Sequence, residues 1–367
     1  MTKRIRVAVL YGGKSCEHDV SLESAKCVLE HLDLERFEVL PIAIDRDGVW
    51  HAQELKRLQG SHAKALPVDA TGAEVTLAGR PEGAVLRGAL GGPIDVVFPV
   101  MHGPLCEDGS VQGLLELCDV AYVGAGVLGS AIAMDKDVAK RLVRAAGIDT
   151  VEYVSVRAGQ WPAQARAVRE RVQNGLGFPV FVKPANLGSS VGVTKVAMLA
   201  ELDRAIDDAL AYDSKILIER AVDARELELA VLESLEPGDP PQVSLAGEII
   251  PRGGFYSYES KYLDPEGAKL EIPAALSAEQ SEQARSMAAL AFVVLEGQGM
   301  ARIDLFLERG TGRLLFSEAN TIPGFTTISM YPKLWERSGL PYPALLSRLI
   351  ELALRRHAQR KTLKHER

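Results

Sequence analysis

The stretch Ala301–Gly324, ARIDLFLERGTGRLLFSEANTIPG, decides the fold. Two runs of alternating apolar and polar residues flank Arg309–Gly312, R-G-T-G, so the segment reads as a β-hairpin closed by a glycine turn. Strand alternation puts Arg302 and Asp304 on one face of the first strand and Ile303 and Leu305 on the other; Glu318 and Asn320 share a face of the second strand in the same way. Hard oxygen donors from Asp304, Glu318 and Asn320 thereby converge beside an arginine, a set that suits Mg²⁺ also held by substrate phosphates. The plainer alternative is a polar, solvent-facing sheet. Such a face would carry Thr, Lys and Glu at random, and the Glu-Ala-Asn run would not lead straight into Thr321–Gly324.

Three lysines upstream stand at punctuated positions. Lys183 closes the apolar strand PVFVKP, Pro179–Pro184, just before a glycine- and serine-bearing loop whose backbone amides suit phosphates. Lys136 opens the helix DKDVAKRLVRAAG, with Asp135 as N-cap and Gly147 as the stop. Lys261 lies in the aromatic segment RGGFYSYESKYLDPEG, Arg252–Gly267. Any one lysine is most often a surface residue, but three so placed beside an acid set suggest a nucleoside triphosphate site.

Farther out, strands at Arg4–Leu10, FEVLPIAID and IDVVFPVMHG alternate with helical patterns, which implies a parallel sheet. The mixed stretch from about Trp50 to Gly92 reads as a surface elaboration of that first domain. VEYVSV, a helix around Gln164–Asn174 and PVFVKP form a smaller α+β unit ending near Glu219. The last third, with ILIER, LELAVLE and PQVSLAGEIIP followed by a helix from about Ala278 to Glu296, is strand-rich. The expected division is 1–134, 135–219 and 220–367, with a lid at about 251–268. The chain is thus α/β in its first part and α+β in the rest.

Bulk properties narrow the function. The 367 residues are 47% hydrophobic and 25% charged, with 42 Lys and Arg against 49 Asp and Glu and a net charge of -7, which speaks against nucleic acid as the partner. No apolar run reaches membrane-span length, and the basic start MTKRIR leads into too short an apolar stretch for a secretory signal. Cys16, Cys27, Cys106 and Cys118 form no C-x-x-C pair and read as thiols of a reducing compartment, so a cytoplasmic location is expected. The basic end RRHAQRKTLKHER reads as a solvated helix terminus.

Two glycine motifs invite a nucleotide reading. Leu10–Ala25 contains Gly12-Gly13-Lys14-Ser15, but a P-loop needs glycine where Ala8 stands within the strand. Gly124–Gly129, GAGVLG, is a formal G-x-G-x-x-G with Asp149 at roughly the ribose-acid distance, the basis of an alternative reading as a nicotinamide-dependent oxidoreductase. It arrives well past residue 100, and the next helix restarts at Asp135 instead of running on from the third glycine.

The ordered set GGKSCEHDVSLES, MHGPLCEDGSVQG, AYVGAGVLGSAIAMDK, FVKPANLGSSVGV, YSYESKYL, ARIDLF and SEANTIPGFT resembles the ATP-grasp superfamily and, within it, the D-alanine–D-alanine ligases, over nearly the whole chain. The resemblance implies an ATP-grasp fold of three domains: a Rossmann-like parallel-sheet N-terminal domain, a small central α+β domain and a C-terminal antiparallel-sheet domain. It implies ATP-driven joining of two D-alanines for peptidoglycan synthesis, with two Mg²⁺ ions that Mn²⁺ can replace, and a homodimer without nucleic-acid or membrane partners.

The same resemblance implies residue roles. Lys136 and Lys183 resemble the lysines on the ATP phosphates, with Lys261 also contacting them. Glu219 is similar to the acid that receives the adenine amino group, Ala221 and Val222 to the backbone completing the base site, and Glu226 to the ribose acid; Ala224 departs from the glycine of many members. Asp304, Glu318 and Asn320 resemble the Mg²⁺ ligands, with Glu318 bridging. Glu17 resembles the partner of the first D-alanine's ammonium, His102 a neighbour of its carboxylate, and Ser329 with Lys261 the holders of the second carboxylate. Arg302 and the Gly324 N–H resemble the oxyanion donors, and Glu17, Ser189 and Tyr262 a hydrogen-bonded trio closing the lid. Tyrosine at 262 favours D-alanine over D-lactate as acceptor; a D-alanine–D-lactate ligase is the closest alternative.

Overall fold

In a computed structural model of the chain, residues 3–59, 63–80, 83–88, 92–251 and 267–364 are described. Most of the expected lid, including Lys261 and Tyr262, lies outside the described residues.

The first sheet has the order β3-β2-β1-β6-β7. Strand β1 (Ile5–Gly12) lies between β2 (Phe37–Ile44) and β6 (Val96–Val100), parallel to both; β7 (Ala121–Tyr122) extends the parallel run, and β3 (Trp50–Ala52) joins antiparallel. Covered on both faces, β1 buries Val7, Val9 and Tyr11 toward one core and Ala8 and Leu10 toward another, so it reads as an unbroken apolar run. The region after β3 adds a short helix, Leu55–Gln59, and the hairpin β4 (Thr76–Ala78) with β5 (Val85–Arg87).

The second sheet is antiparallel in the order β10-β9-β11-β8: Thr194–Val196, Val180–Pro184, Lys215–Arg220 and Tyr153–Arg157. Its apolar face packs Val180, Val182, Ile216 and Ile218 against helices Trp161–Arg171 and Leu199–Leu210.

The third sheet is also antiparallel, with the path β15 (Ala268–Glu271), β14 (Gly247–Pro251), β12, β16 and β17, and with β13 (Gln242–Val243) on β12. Strands β12 (Ala224–Leu232), β16 (Met300–Glu308) and β17 (Leu314–Asn320) form its centre. Ile303, Leu305 and Leu307 with Leu227, Leu229 and Val231 bury one face against Ala284, Ala288, Ala291 and Phe292 of helix Ala278–Val294. Each such aliphatic side chain contributes about 1.5–3 kcal/mol on burial. That apolar face fixes the register and holds the opposite, polar face toward the second sheet.

Candidate active site

The polar face is built by strand pairing. Asp304 pairs with Glu228 on β12 and with Glu318 on β17, while Arg302 pairs with Asn320. A β-bulge after Asp304, where Leu305 meets Phe316, keeps Glu318 and Asn320 on that face. Arg302 donates to both carboxylate oxygens of Asp304 at 2.7 Å each, and its Nε lies 3.2 Å from Glu228. Against the cost of its own burial, these two acids raise the guanidinium's pKa well above its usual value. Asn320 Nδ2 donates to Asp304 Oδ2 at 3.1 Å. Glu228 carries none of the roles read from the sequence; its register opposite Asp304 becomes visible only once β12 and β16 pair.

Cations from the second sheet and its preceding helix face this set. Lys136, first residue of helix Lys136–Ala145, lies 3.4 Å from Glu318 and donates to the Leu187 carbonyl at 2.7 Å. Asp135 caps that helix by accepting from Val138 N at 3.1 Å, which contributes about 1 kcal/mol. Lys183, on β9, reaches Glu219 of β11 at 2.8 Å. The fully buried Lys140, absent from the sequence reading, stands 3.3 Å from the same carboxylate. Ala221 N–H donates to the Pro179 carbonyl, and Ala221, Val222 and Glu226 are half-buried along the edge leading into β12.

The donor chemistry fits Mg²⁺. Among the described residues no three His, Cys, Asp or Glu side chains form a self-sufficient metal cage. Two carboxylates and an amide oxygen leave positions for phosphate oxygens, the usual way Mg²⁺ is held.

A second cluster joins the first sheet to the loop after β17. Ser15 Oγ donates to the His102 carbonyl at 2.6 Å and accepts from Glu17 N at 3.1 Å. Ser189 of the loop after β9 donates to Glu17 Oε1. Glu17 Oε2 is buried and accepts no hydrogen bond among the described residues, an orphaned anionic acceptor suited to an ammonium group. Burial lowers the His102 pKa and keeps its ring neutral, despite the nearby Glu17. Its Nδ1 faces the Ile322 carbonyl at 3.0 Å and so carries the proton, and its Nε2 then accepts from Ser24 Oγ at 3.1 Å. Both ring nitrogens of His102 are thus engaged within the chain.

Ser24 Oγ also accepts from Phe325 N, and Glu107 accepts from Gly103 N at 2.8 Å and Ile322 N at 3.2 Å, so three side chains of the first domain pin Ile322–Phe325. In that loop a Cβ on Gly324 would lie 2.7 Å from Ser329 Oγ, which itself accepts from Thr326 N at 3.0 Å. Ser21 accepts from Gly12 N at 2.7 Å and donates to the Val100 carbonyl at 2.5 Å, tying the ends of β1 and β6 together.

Both glycine motifs resolve as backbone devices. The Gly12 and Gly13 amides are spent on Ser21 and the Ile44 carbonyl, leaving no anion nest, and Lys14 is exposed. In GAGVLG a Cβ on Gly129 would meet the Glu296 carbonyl at 2.4 Å and one on Gly126 would meet Gln298 at 2.8 Å. That motif is a packing contact with the turn after helix Ala278–Val294.

Known proteins resemble this chain in sequence and fold. Residues 6–125 match the family model described as D-ala D-ala ligase N-terminus, and residues 142–351 match D-ala D-ala ligase C-terminus. D-alanine–D-alanine ligase A of Bradyrhizobium diazoefficiens is 52% identical over 371 residues, covering 99% of this chain and 98% of that protein. The D-alanine–D-alanine ligase of Shouchella clausii is 45% identical, with 98% and 97% covered. The solved D-alanine–D-alanine ligase from Coxiella burnetii superposes with a TM-score of 0.83 at 34% identity, covering 98% of this chain and 97% of that one. VanG D-Ala:D-Ser ligase from Enterococcus faecalis gives 0.81 at 33% identity, covering 96% and 100%. Two-domain family matches, full-length relatives and an ATP-grasp architecture of one mainly parallel sheet and two antiparallel ones, beside the small β4-β5 hairpin, agree: the chain belongs to the D-alanine–D-alanine ligase family.

Proposed function

We propose that this enzyme uses ATP to join two D-alanine molecules through a D-alanyl phosphate, giving D-alanyl-D-alanine, ADP and phosphate. The observation that carries the substrate assignment is the buried, orphaned Glu17 Oε2, set between the Ser15 loop and Ser189, a seat for the first D-alanine's ammonium group. ATP lies between the second and third sheets. Lys136 and Lys183 neutralise its phosphates, Lys261 adds to them from the lid, Glu219 with Ala221 and Val222 holds the base, and Glu226 holds the ribose. Mg²⁺ bound by Asp304, Glu318 and Asn320, or Mn²⁺ in its place, would supply charge neutralisation at the phosphates.

The chain's own contribution is positioning and electrostatics. Glu17 fixes the first D-alanine so that its carboxylate faces the terminal phosphate, and attack there gives the acyl phosphate and ADP. The amine of the second D-alanine, placed through its carboxylate by Ser329 and Lys261, then attacks the acyl carbon and phosphate leaves. Arg302 and the Gly324 N–H stabilise the oxyanion; Arg302 is held rigid by Asp304 and Glu228, and the Gly324 loop by His102, Ser24 and Glu107. Tyr262, with Ser189 and Glu17, closes the lid and excludes water from the acyl phosphate.

The division 1–134, 135–219 and 220–367, a cytoplasmic setting and a homodimer complete the reading. Among the described residues no helix is long and apolar enough to cross a membrane. The VanG likeness raises one competing acceptor, D-serine, and D-lactate is a second. Product masses from D-alanine alone, and from D-alanine with D-serine or D-lactate, test the choice. D-alanyl-D-alanine is expected to dominate at neutral pH, and a dominant mixed product would overturn D-alanine as acceptor.

A further inference from the structure

Lys140 is a buried charge for which the mechanism above has no use. It stands one helical turn beyond Lys136 on helix Lys136–Ala145, so both ammonium groups leave the helix on the same side. Its side chain is 0% exposed, with Nζ 3.3 Å from Glu219 Oε1 and 3.4 Å from the Phe316 carbonyl. The other oxygen of Glu219 faces Lys183 at 2.8 Å. One carboxylate therefore serves two ammonium groups where one would neutralise it, and a second desolvated ammonium is costly to keep.

The two lysines differ in what else they can do. Lys183 stands near the end of β9, next to the Asn186–Val193 loop, and in the proposed function it leaves Glu219 to neutralise the triphosphate. Lys140 is enclosed by helix and sheet and stays. Glu219 Oε1 accepts no hydrogen bond among the described residues even with Lys140 at ion-pair distance, so its charge is balanced while its lone pairs stay available. Against the upward push of its burial, Lys140 and then Lys183 hold the Glu219 carboxyl below its ordinary pKa.

We propose that Lys140 is the resident counter-ion of Glu219: it keeps that carboxylate ionised and in place once Lys183 turns to the phosphates, and thereby makes the site select a purine carrying an exocyclic amino group over one carrying a carbonyl. The inference rests on Glu219 as the acceptor for the adenine amino group. An ionised carboxylate can only accept. It takes the N–H of adenine and repels the carbonyl oxygen that hypoxanthine presents at the same position. A protonated carboxyl donates, and so tolerates hypoxanthine.

Dissociation constants for ATP and for inosine triphosphate, measured by calorimetry without D-alanine on the full chain, test this. K140M, with its fold checked by circular dichroism, should bind ATP more weakly and lose about tenfold or more of the preference for ATP over inosine triphosphate. E219Q should lose the preference to a similar degree. If K140M does not fold, K140Q, which keeps a polar side chain without the charge, replaces it with the same expectation. A folded K140M or K140Q with wild-type preference, alongside an E219Q that loses it, overturns the role of Lys140 while leaving the adenine assignment standing. An E219Q with wild-type preference overturns the adenine assignment, and this inference with it.

Discussion

Two groups of charged side chains, largely buried apart from the exposed Arg141, flank helix Lys136–Ala145, and they differ in balance. Near the helix N-terminus, Lys215 pairs with Asp135 and lies 3.4 Å from Asp137, which Arg141 also approaches at 3.5 Å. Two cations meet two carboxylates there, and Asp135 is satisfied as a helix cap as well. On the inner side, among the described residues, Lys136, Lys140 and Lys183 make ion pairs with Glu219 and Glu318 alone. The first group closes on itself; the second keeps a positive excess in a dry place, the condition a triphosphate needs. Burial and ion pairing are common to both, so neither marks the functional cluster. The imbalance does.

The comparison can be broken from either side. Removing charge from the balanced group should cost stability alone: K215M leaves Asp135 and Asp137 undercompensated and is expected to lower unfolding free energy by about 3–5 kcal/mol in denaturant titration. Its Michaelis constant for ATP should stay within about twofold of wild type at a temperature where it is folded. Next in size, R302K keeps the charge but loses the two-pronged grip on Asp304, and should lower kcat by about 10²–10³-fold in an ADP-release assay. A smaller effect is expected from K183M, which removes one cation from the unbalanced group and should weaken ATP binding by about tenfold in calorimetry, with little change in the denaturation midpoint.

The smallest effect concerns pH. Burial, and then the nearby Glu17, push the Glu107 carboxyl up to about 8 from an ordinary value of 4.5. Between those values the folded chain holds a proton that the unfolded chain has released, so this group makes stability fall as pH rises through that window and level off above it. E107Q should flatten that part of the curve of thermal midpoint against pH. A slope unchanged in E107Q would assign it to other groups.

Much of the site was legible because strand alternation is simple. Arg302, Asp304, Glu318 and Asn320 follow from a two-residue period, as does the core face of β16; on β17 the bulge sets Leu314 and Phe316 on the core face with Ala319, which alternation alone does not give. The helix at Lys136 was legible from its Asp135 cap and Gly147 stop, and the structure ends its last full turn at Ala145, with Gly147 at a φ of 85°. Lys140 and Lys215 were not legible. In a helix and at a strand start, each reads as an ordinary surface lysine; in the fold Lys140 lies between Glu219 and the Phe316 carbonyl, and Lys215 against Asp135 and Asp137. Glu228 was hidden for a related reason: a strand's own sequence does not say which acid it will face across the sheet. Gly124–Gly129 misleads in the opposite direction, since its spacing matches a phosphate motif while its glycines serve close packing against Glu296 and Gln298.

The most direct test is the turnover of E318Q with D-alanine and Mg-ATP, compared with wild type by ADP release. Loss of the carboxylate that sits between Lys136 and the Asp304 strand should slow turnover by at least about 10²-fold while the thermal midpoint stays near that of wild type. Full turnover by a folded E318Q would contradict the placement of the reacting phosphates on this face of the sheet.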